Sequence, residues 1–249
     1  MAARGVLVVQ HEDSCPPGWL GERWAATGLD LDVRRPYRPD ADQQLPDSLD
    51  EHTALVVLGG EMGADDDADF AWLPQVKSLL QQALSRDVPT LGVCLGHQLL
   101  AVAAGGEVRR NPHGHATGVT PIRLTGEGAG DPLLDDLDRR PVVQWNDDVV
   151  VRLPAAATLL AEAPDGSPQA IRVGPRAWGV QFHPEAGPQI FDAWTVDKPS
   201  ANLPRADGID VAAAADDVRA AEGELRALGD LLADRFAAIV GAPLARQGS

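Results

Sequence analysis

The stretch Pro89-Thr90-Leu91-Gly92-Val93-Cys94-Leu95-Gly96-His97-Gln98-Leu99-Leu100 constrains this chain most, because it reads as a buried strand that stops at a cysteine and turns at once into a helix. Thr90, Leu91 and Val93 suit a buried strand. Gly92 and Gly96 stand two residues either side of Cys94, where so tight a turn leaves no room for a side chain. Beyond it Leu99, Leu100, Ala103 and Ala104 fall on helical spacing, and Gly105-Gly106 closes the helix. Gly-Val-Cys-Leu-Gly is thus the cysteine counterpart of a serine nucleophile elbow. A thiol at a helix N-terminus faces unpaired backbone N–H groups, which favour the thiolate. The plain alternative is a buried core cysteine, but such a residue has no need of glycines on both sides.

A nucleophile of this kind needs a base, and the base needs a group to orient it. Ala177-Trp178-Gly179-Val180-Gln181-Phe182 reads as a second short strand that ends at His183-Pro184-Glu185. Pro184 biases His183 towards an extended backbone and stiffens the link to Glu185. Glu185 can then accept the proton of one imidazole nitrogen while the other faces Cys94. Three residues alone are a weak signal; at a strand end downstream of an elbow they are a strong one.

Taken together, Gly-Val-Cys-Leu-Gly-His-Gln-Leu-Leu, the later Gly-Val-Gln-Phe-His-Pro-Glu and a third block, Leu55-Val56-Val57-Leu58-Gly59-Gly60-Glu61-Met62-Gly63, resemble the class I glutamine amidotransferases. The likeness is greatest to free-standing members related to the glutaminase domain of GMP synthase, and it runs over residues 5 to 195. It implies a catalytic triad of Cys94, His183 and Glu185, in which Cys94 attacks the γ-carboxamide of a glutamine-like substrate. It further implies an oxyanion hole from the backbone N–H groups of Gly60 and Leu95, and a substrate-binding role for Gln98. Two departures stand out. The family usually has Gly-Gly-Pro where this chain has Gly59-Gly60-Glu61, and relatives often read Gln-Trp-His-Gly-Asp where this chain has Gln144-Trp145-Asn146-Asp147-Asp148.

The rest of the chain predicts an α/β fold, flavodoxin-like, with an open and mostly parallel sheet, helices on both faces and added antiparallel strands. Short apolar runs at Val6–Val9, Leu31–Val33, Ala54–Leu58 and Thr90–Cys94 alternate with helical stretches, one of which, Leu73–Leu84, carries Leu73, Val76, Leu80, Ala83 and Leu84 on one face. From Val119 to Phe182 the strands follow one another closely, which suggests antiparallel additions to the sheet. Residues 1–195 form the amidotransferase-like unit. Residues 196–249 supply a surface loop, about 195 to 208, and one helix over Val211–Val240 with a stripe of Leu225, Leu228, Leu232, Phe236 and Ile239, packed on the same domain.

Charge narrows the function. With 21 Lys and Arg against 37 Asp and Glu the formal net charge is −16, and no basic cluster offers itself to nucleic acid or an anionic membrane. No apolar run is long enough to span a bilayer and no signal peptide is read, so a cytoplasmic protein is expected. No cofactor and no metal are expected: Asp65-Asp66-Asp67-Ala68-Asp69 lacks the glycine and terminal glutamate of a calcium loop and reads as a solvated acidic segment. His113 and His115 lack further ligands at metal spacing, and the resemblance puts their loop at the border of the substrate pocket. His97 should point away from the thiol, and Cys15, ahead of Pro16-Pro17, reads as an exposed bystander.

Three functions are compatible with these residues. The first is a glutaminase that releases ammonia for an acceptor on a separate synthetase polypeptide, since no phosphate-binding Gly-rich Lys-Ser/Thr loop is present. The second is a free-standing γ-glutamyl hydrolase or peptidase that cuts a γ-glutamyl amine or peptide. The third, a binding or regulatory protein on the same fold, sits poorly with an intact Cys94, His183 and Glu185.

Overall fold

The computed structural model describes residues 4–196 and 203–242. Its frame is one eight-stranded sheet whose apolar strands alternate their side chains between two cores. Four parallel strands lead: β1 (Arg4–Val9), β2 (Leu31–Arg34), β3 (His52–Val57) and β4 (Thr90–Val93). Val6, Val8, Ala54, Val56 and Leu91 face one core, while Leu7, Val9, Leu55 and Val57 face the other. β1, β3 and β4 are covered on both sides, which is why their runs show no polar alternation, whereas the edge strand β2, Leu31-Asp32-Val33-Arg34, alternates.

The helices between them supply the two covers. α1 (Gly18–Ala26) lies on the first face; α2 (Leu73–Ser85) and α3 (Leu95–Ala103) lie on the second. α2 starts with Pro74 in its first turn, where a missing N–H costs nothing, and buries Leu73, Val76, Leu79, Leu80 and Ala83.

The second half of the chain contributes β5 (Glu107–Arg110), β6 (Ala116–Pro121), β7 (Arg123–Leu124), β8 (Pro141–Asn146), β9 (Asp148–Arg152), β10 (Ala157–Glu162), β11 (Pro168–Val173) and β12 (Ala177–Val180). The sheet order is β2-β1-β3-β4-β12-β11-β10-β7. The antiparallel additions take a more selective form than the close strand spacing suggested. β12 joins parallel to β4; β11, β10 and β7 then follow antiparallel, whereas β5–β9 and β6–β8 form two separate ribbons. The β6–β8 ribbon stands off the sheet to back the chain after β12, with His183 N–H donating to the Val143 carbonyl at 2.9 Å.

The C-terminal region departs from the single helix expected over Val211–Val240. After α4 (Pro188–Thr195) and a short α5 (Leu203–Ala206), it divides into α6 (Val211–Ala220) and α7 (Glu222–Gly241). Asp210 caps α6 by accepting from the Ala212 and Ala213 N–H groups. The division arises from two different partners: α6 packs on Gly118 of β6 through Ala214, and α7 packs on α1. Of the loop expected at 195–208, Lys198-Pro199-Ser200 lies outside the described residues, and 203–206 is helical.

The α1–α7 contact centres on Trp24 and Phe236, with ring centroids 5.7 Å apart and the Trp24 indole N–H donating to the Ala233 carbonyl at 2.9 Å. Phe236 is fully buried. Phe236→Ala should therefore cost about 3–5 kcal/mol of stability, read as a lower urea midpoint. A cost below about 1 kcal/mol would show that α7 contributes little to the core.

Candidate active site

Three adjacent parallel strands, β3, β4 and β12, end level with one another, with Val57 beside Gly92 and Val180 beside Val93. The segments that leave these strands therefore converge at the carboxyl edge of the sheet, where open α/β folds place their sites. Gly59-Gly60 comes after β3, Cys94 after β4, and His183 after β12.

The two glycines around Cys94 are forced by close approach. A Cβ on Gly96 would lie 1.9 Å from the Val57 carbonyl oxygen, and one on Gly92 would lie 2.4 Å from the Gly96 carbonyl oxygen. Cys94 itself has φ 51° and ψ −106°, a positive φ that a non-glycine residue rarely adopts. Such geometry costs on the order of 1–3 kcal/mol and is held by the surrounding packing. The thiol sits at the start of α3 with its Sγ 3.9 Å from the Trp145 carbonyl oxygen.

His183 and Glu185 are paired as their spacing implied. Nδ1 of His183 lies 2.7 Å from Oε1 of Glu185, both side chains almost wholly buried. With Nδ1–H donating to the carboxylate, Nε2 is left free and has no hydrogen-bond partner. Burial alone would lower the His183 pKa, but the negative charges of Glu185 and of a Cys94 thiolate outweigh it and hold the imidazolium well above 6.5. The Trp194 ring, 4.5 Å from the imidazole ring, adds an aromatic face to that cation.

Gly59 marks the space between Cys94 and His183. A Cβ there would be 3.2 Å from Cε1 of His183 and 3.6 Å from Cβ of Cys94. We expect Gly59→Ala to fold and yet to lower kcat/KM of the activity proposed below by about a hundredfold, because it displaces one group relative to the other. Unchanged kcat/KM in the folded variant would contradict this placement.

Gly60 and Leu95, the expected oxyanion donors, lie side by side: a Cβ on Gly60 would meet Cδ2 of Leu95 at 3.2 Å and Cβ of His11 at 2.9 Å. His11 is buried beneath this loop, accepts at Nδ1 from the Trp72 indole N–H at 3.1 Å, and is kept neutral by burial, with a pKa of about 4. Gln98 lines a cavity with Gly60 and Trp145, and its carboxamide N–H groups donate to the Asp148 carbonyl at 3.0 Å and to Oε1 of Gln181 at 3.3 Å. It thereby braces the 145–148 loop from below.

Other residues fall into place or are corrected. His115 borders the cavity and His97 packs against Gly179 with its pKa lowered by burial to about 4. The acidic run is a turn ahead of α2 in which Asp66 accepts from the Gly63 N–H at 2.7 Å, and among the described residues no group of three or more His, Cys, Asp or Glu could hold a metal. Cys15 is no exposed bystander: it is 5% exposed, donates to Oε1 of Glu12 at 3.1 Å, and lies 3.8 Å from where a Gly59 Cβ would be. Its loop is tied over the site by the Trp19 N–H on the Glu185 carbonyl and the Trp194 indole N–H on the Ser14 carbonyl. Reading along the chain missed Cys15, His11 and Trp194. Of these, Trp194 alone carried a signal, the Phe191/Trp194 pair at helical spacing.

The mostly parallel α/β sheet thus presents a strained cysteine opposite a buried histidine–glutamate pair. The chain belongs to the class-I glutamine amidotransferase family, whose model matches residues 19–198. It is 35% identical over 147 residues to a GMP synthase [glutamine-hydrolyzing] of Aeropyrum pernix, covering 57% of this chain and 27% of that protein. It is 29% identical over 158 residues to gamma-glutamyl peptidase 5 of Arabidopsis thaliana, covering 60% of this chain and 61% of that protein. The chain thus spans about a quarter to three-fifths of these two curated relatives. A solved glutamine amidotransferase from Thermotoga maritima superposes with a TM-score of 0.79 at 26% identity, over 95% of this chain and 98% of that one.

Proposed function

We propose that this protein hydrolyses the γ-carboxamide of glutamine through a cysteinyl thioester and releases ammonia for an acceptor on a separate protein. The observation that carries this reading is the strained thiol of Cys94 facing, across Gly59, a His183 that Glu185 holds at 2.7 Å. Sγ of Cys94 attacks the γ-carbonyl carbon, and the electron pair of the C=O bond moves onto oxygen between the N–H groups of Gly60 and Leu95. His183 gives its Nε2 proton to the amide nitrogen, the C–N bond breaks, and ammonia leaves. Water then attacks the thioester with His183 as base, and glutamate departs as the Cys94 sulfur recovers its electron pair.

A free-standing γ-glutamyl hydrolase uses the same thioester with an amine or peptide as leaving group. It is favoured by Asn146-Asp147 in place of the more usual His-Gly, which alters the loop lining the cavity. The experiment is release of ammonia, amine and glutamate from L-glutamine and a panel of γ-glutamyl amines and peptides, with Cys94→Ala as control. Thiol-dependent release from glutamine supports the first reading. Release from a conjugate with glutamine ignored would replace it by the second, and thiol-independent release would overturn both.

Cytoplasmic residence is part of this proposal; among the described residues no helix is long and apolar enough to cross a membrane.

A further inference from the structure

The His183 ring is tied by a hydrogen bond at one atom, Nδ1, which lies 2.7 Å from Oε1 of Glu185, while Nε2 has no partner. A histidine ring turns about its Cβ–Cγ bond over a broad, roughly two-fold range. One bond at Nδ1 therefore does not by itself fix where Nε2 points. Gly59 offers no stop either: a Cβ there, which glycine lacks, would be 3.2 Å from Cε1.

What stands against the ring is Trp194, with centroids 4.5 Å apart and an interplanar angle of 51°. Trp194 is itself held from several directions. It is almost wholly buried, its indole N–H donates to the Ser14 carbonyl at 2.9 Å, and the rings of Phe191 and Trp145 each lie 6.1 Å from it. In a close-packed interior, a large side chain locked in this way passes its rigidity to its neighbours. Trp145 extends the link, since its carbonyl oxygen is 3.9 Å from Sγ of Cys94. Trp194 lies outside the cavity that Gly60, Gln98 and Trp145 line, and its one polar group is already engaged on Ser14. It is placed to act on His183, not on a ligand.

We propose that Trp194 is a positioning residue, whose indole sets the tilt of the His183 imidazole so that Nε2 addresses Cys94. This rests on the reading of Cys94 and His183 as the reacting pair.

The test compares Trp194→Leu, which keeps apolar bulk without a planar surface, with Trp194→Phe, which keeps a ring but gives up the bond to Ser14. With L-glutamine, or the γ-glutamyl conjugate turned over in the panel above, Trp194→Leu should lower kcat about ten- to a hundredfold and leave KM within about twofold. Trp194→Phe should keep at least about a third of kcat. A second readout needs no turnover: the downfield proton resonance of His183 Nδ1–H in full-length Cys94→Ala, assigned by its absence once His183→Gln is added. That signal should persist with Trp194→Phe and broaden away with Trp194→Leu. Should Trp194→Leu not fold, Trp194→Phe decides: loss of its signal, or a kcat lowered more than tenfold, overturns the inference, because the bond to Ser14 and not the ring would then matter. A raised KM at unchanged kcat in Trp194→Leu overturns it as well. Thiol-dependent release that Trp194→Leu leaves unchanged, signal included, refutes this inference while the proposed function stands. A signal lost in Trp194→Leu and kept in Trp194→Phe, with no release from any substrate, does the reverse.

Discussion

Replacing Cys94 by alanine should abolish ammonia release from the preferred substrate, a loss of about a millionfold if the thiol, His183 and Glu185 act as one unit. The side chain is small and 6% exposed, so far-UV circular dichroism should not change. The strain at φ 51° supplies a second readout. Alanine inherits it, whereas Cys94→Gly relieves it and should be about 1 kcal/mol more stable than Cys94→Ala in urea titration, net of the greater chain entropy of glycine. Full turnover in either variant would sink the nucleophile assignment. A glycine variant less stable than the alanine one would show that the elbow is not strained.

The second large effect is expected from Glu185→Gln, with a loss of about a thousandfold, smaller than that of Cys94→Ala because in the proposed mechanism Glu185 orients and does not react. Burial drives the His183 pKa down and Glu185 is the first of the charges that raise it, so removing that charge must lower it. The alkaline limb of kcat/KM, where His183 loses the proton it gives to the leaving nitrogen, should move to lower pH. Stability has the same sign. A histidine whose folded pKa lies above its unfolded value of about 6.5 contributes stability that is complete below pH 6.5 and is lost as pH rises through the raised value. In Glu185→Gln that loss should begin at lower pH or vanish, as measured by thermal unfolding across pH 6–10. An unmoved alkaline limb would show that the imidazolium is held by something other than Glu185.

The features legible in the chain are those set by nearest neighbours. Gly92 and Gly96 declare the elbow because the clash each avoids, with Gly96 and with Val57, is a matter of backbone contact at a single turn. His183 and Glu185 find each other at i and i+2 around a proline, and the apolar runs of β1, β3 and β4 reflect strands covered on both faces. The same local reasoning identified α2 to within one residue of its end.

It reached its limit where partners are far apart in sequence. Cys15 looked exposed because Pro16-Pro17 marks a loop; it is buried because Trp19 and Trp194 pin that loop over the site. The C-terminal apolar stripe promised one helix and became two, since its halves face β6 and α1. The close strand spacing announced antiparallel pairing without revealing that β12 would lie parallel to β4 and so bring His183 to the thiol.

Sequence alone therefore determined the elbow at Cys94, the pairing of His183 with Glu185 and the class of fold, because each is written in backbone sterics and short-range spacing. The tertiary structure decided the environment those groups sit in: the buried second thiol and the indole on His183. Burial and charge are sums over every segment that packs around a point, and no stretch of chain carries that sum by itself.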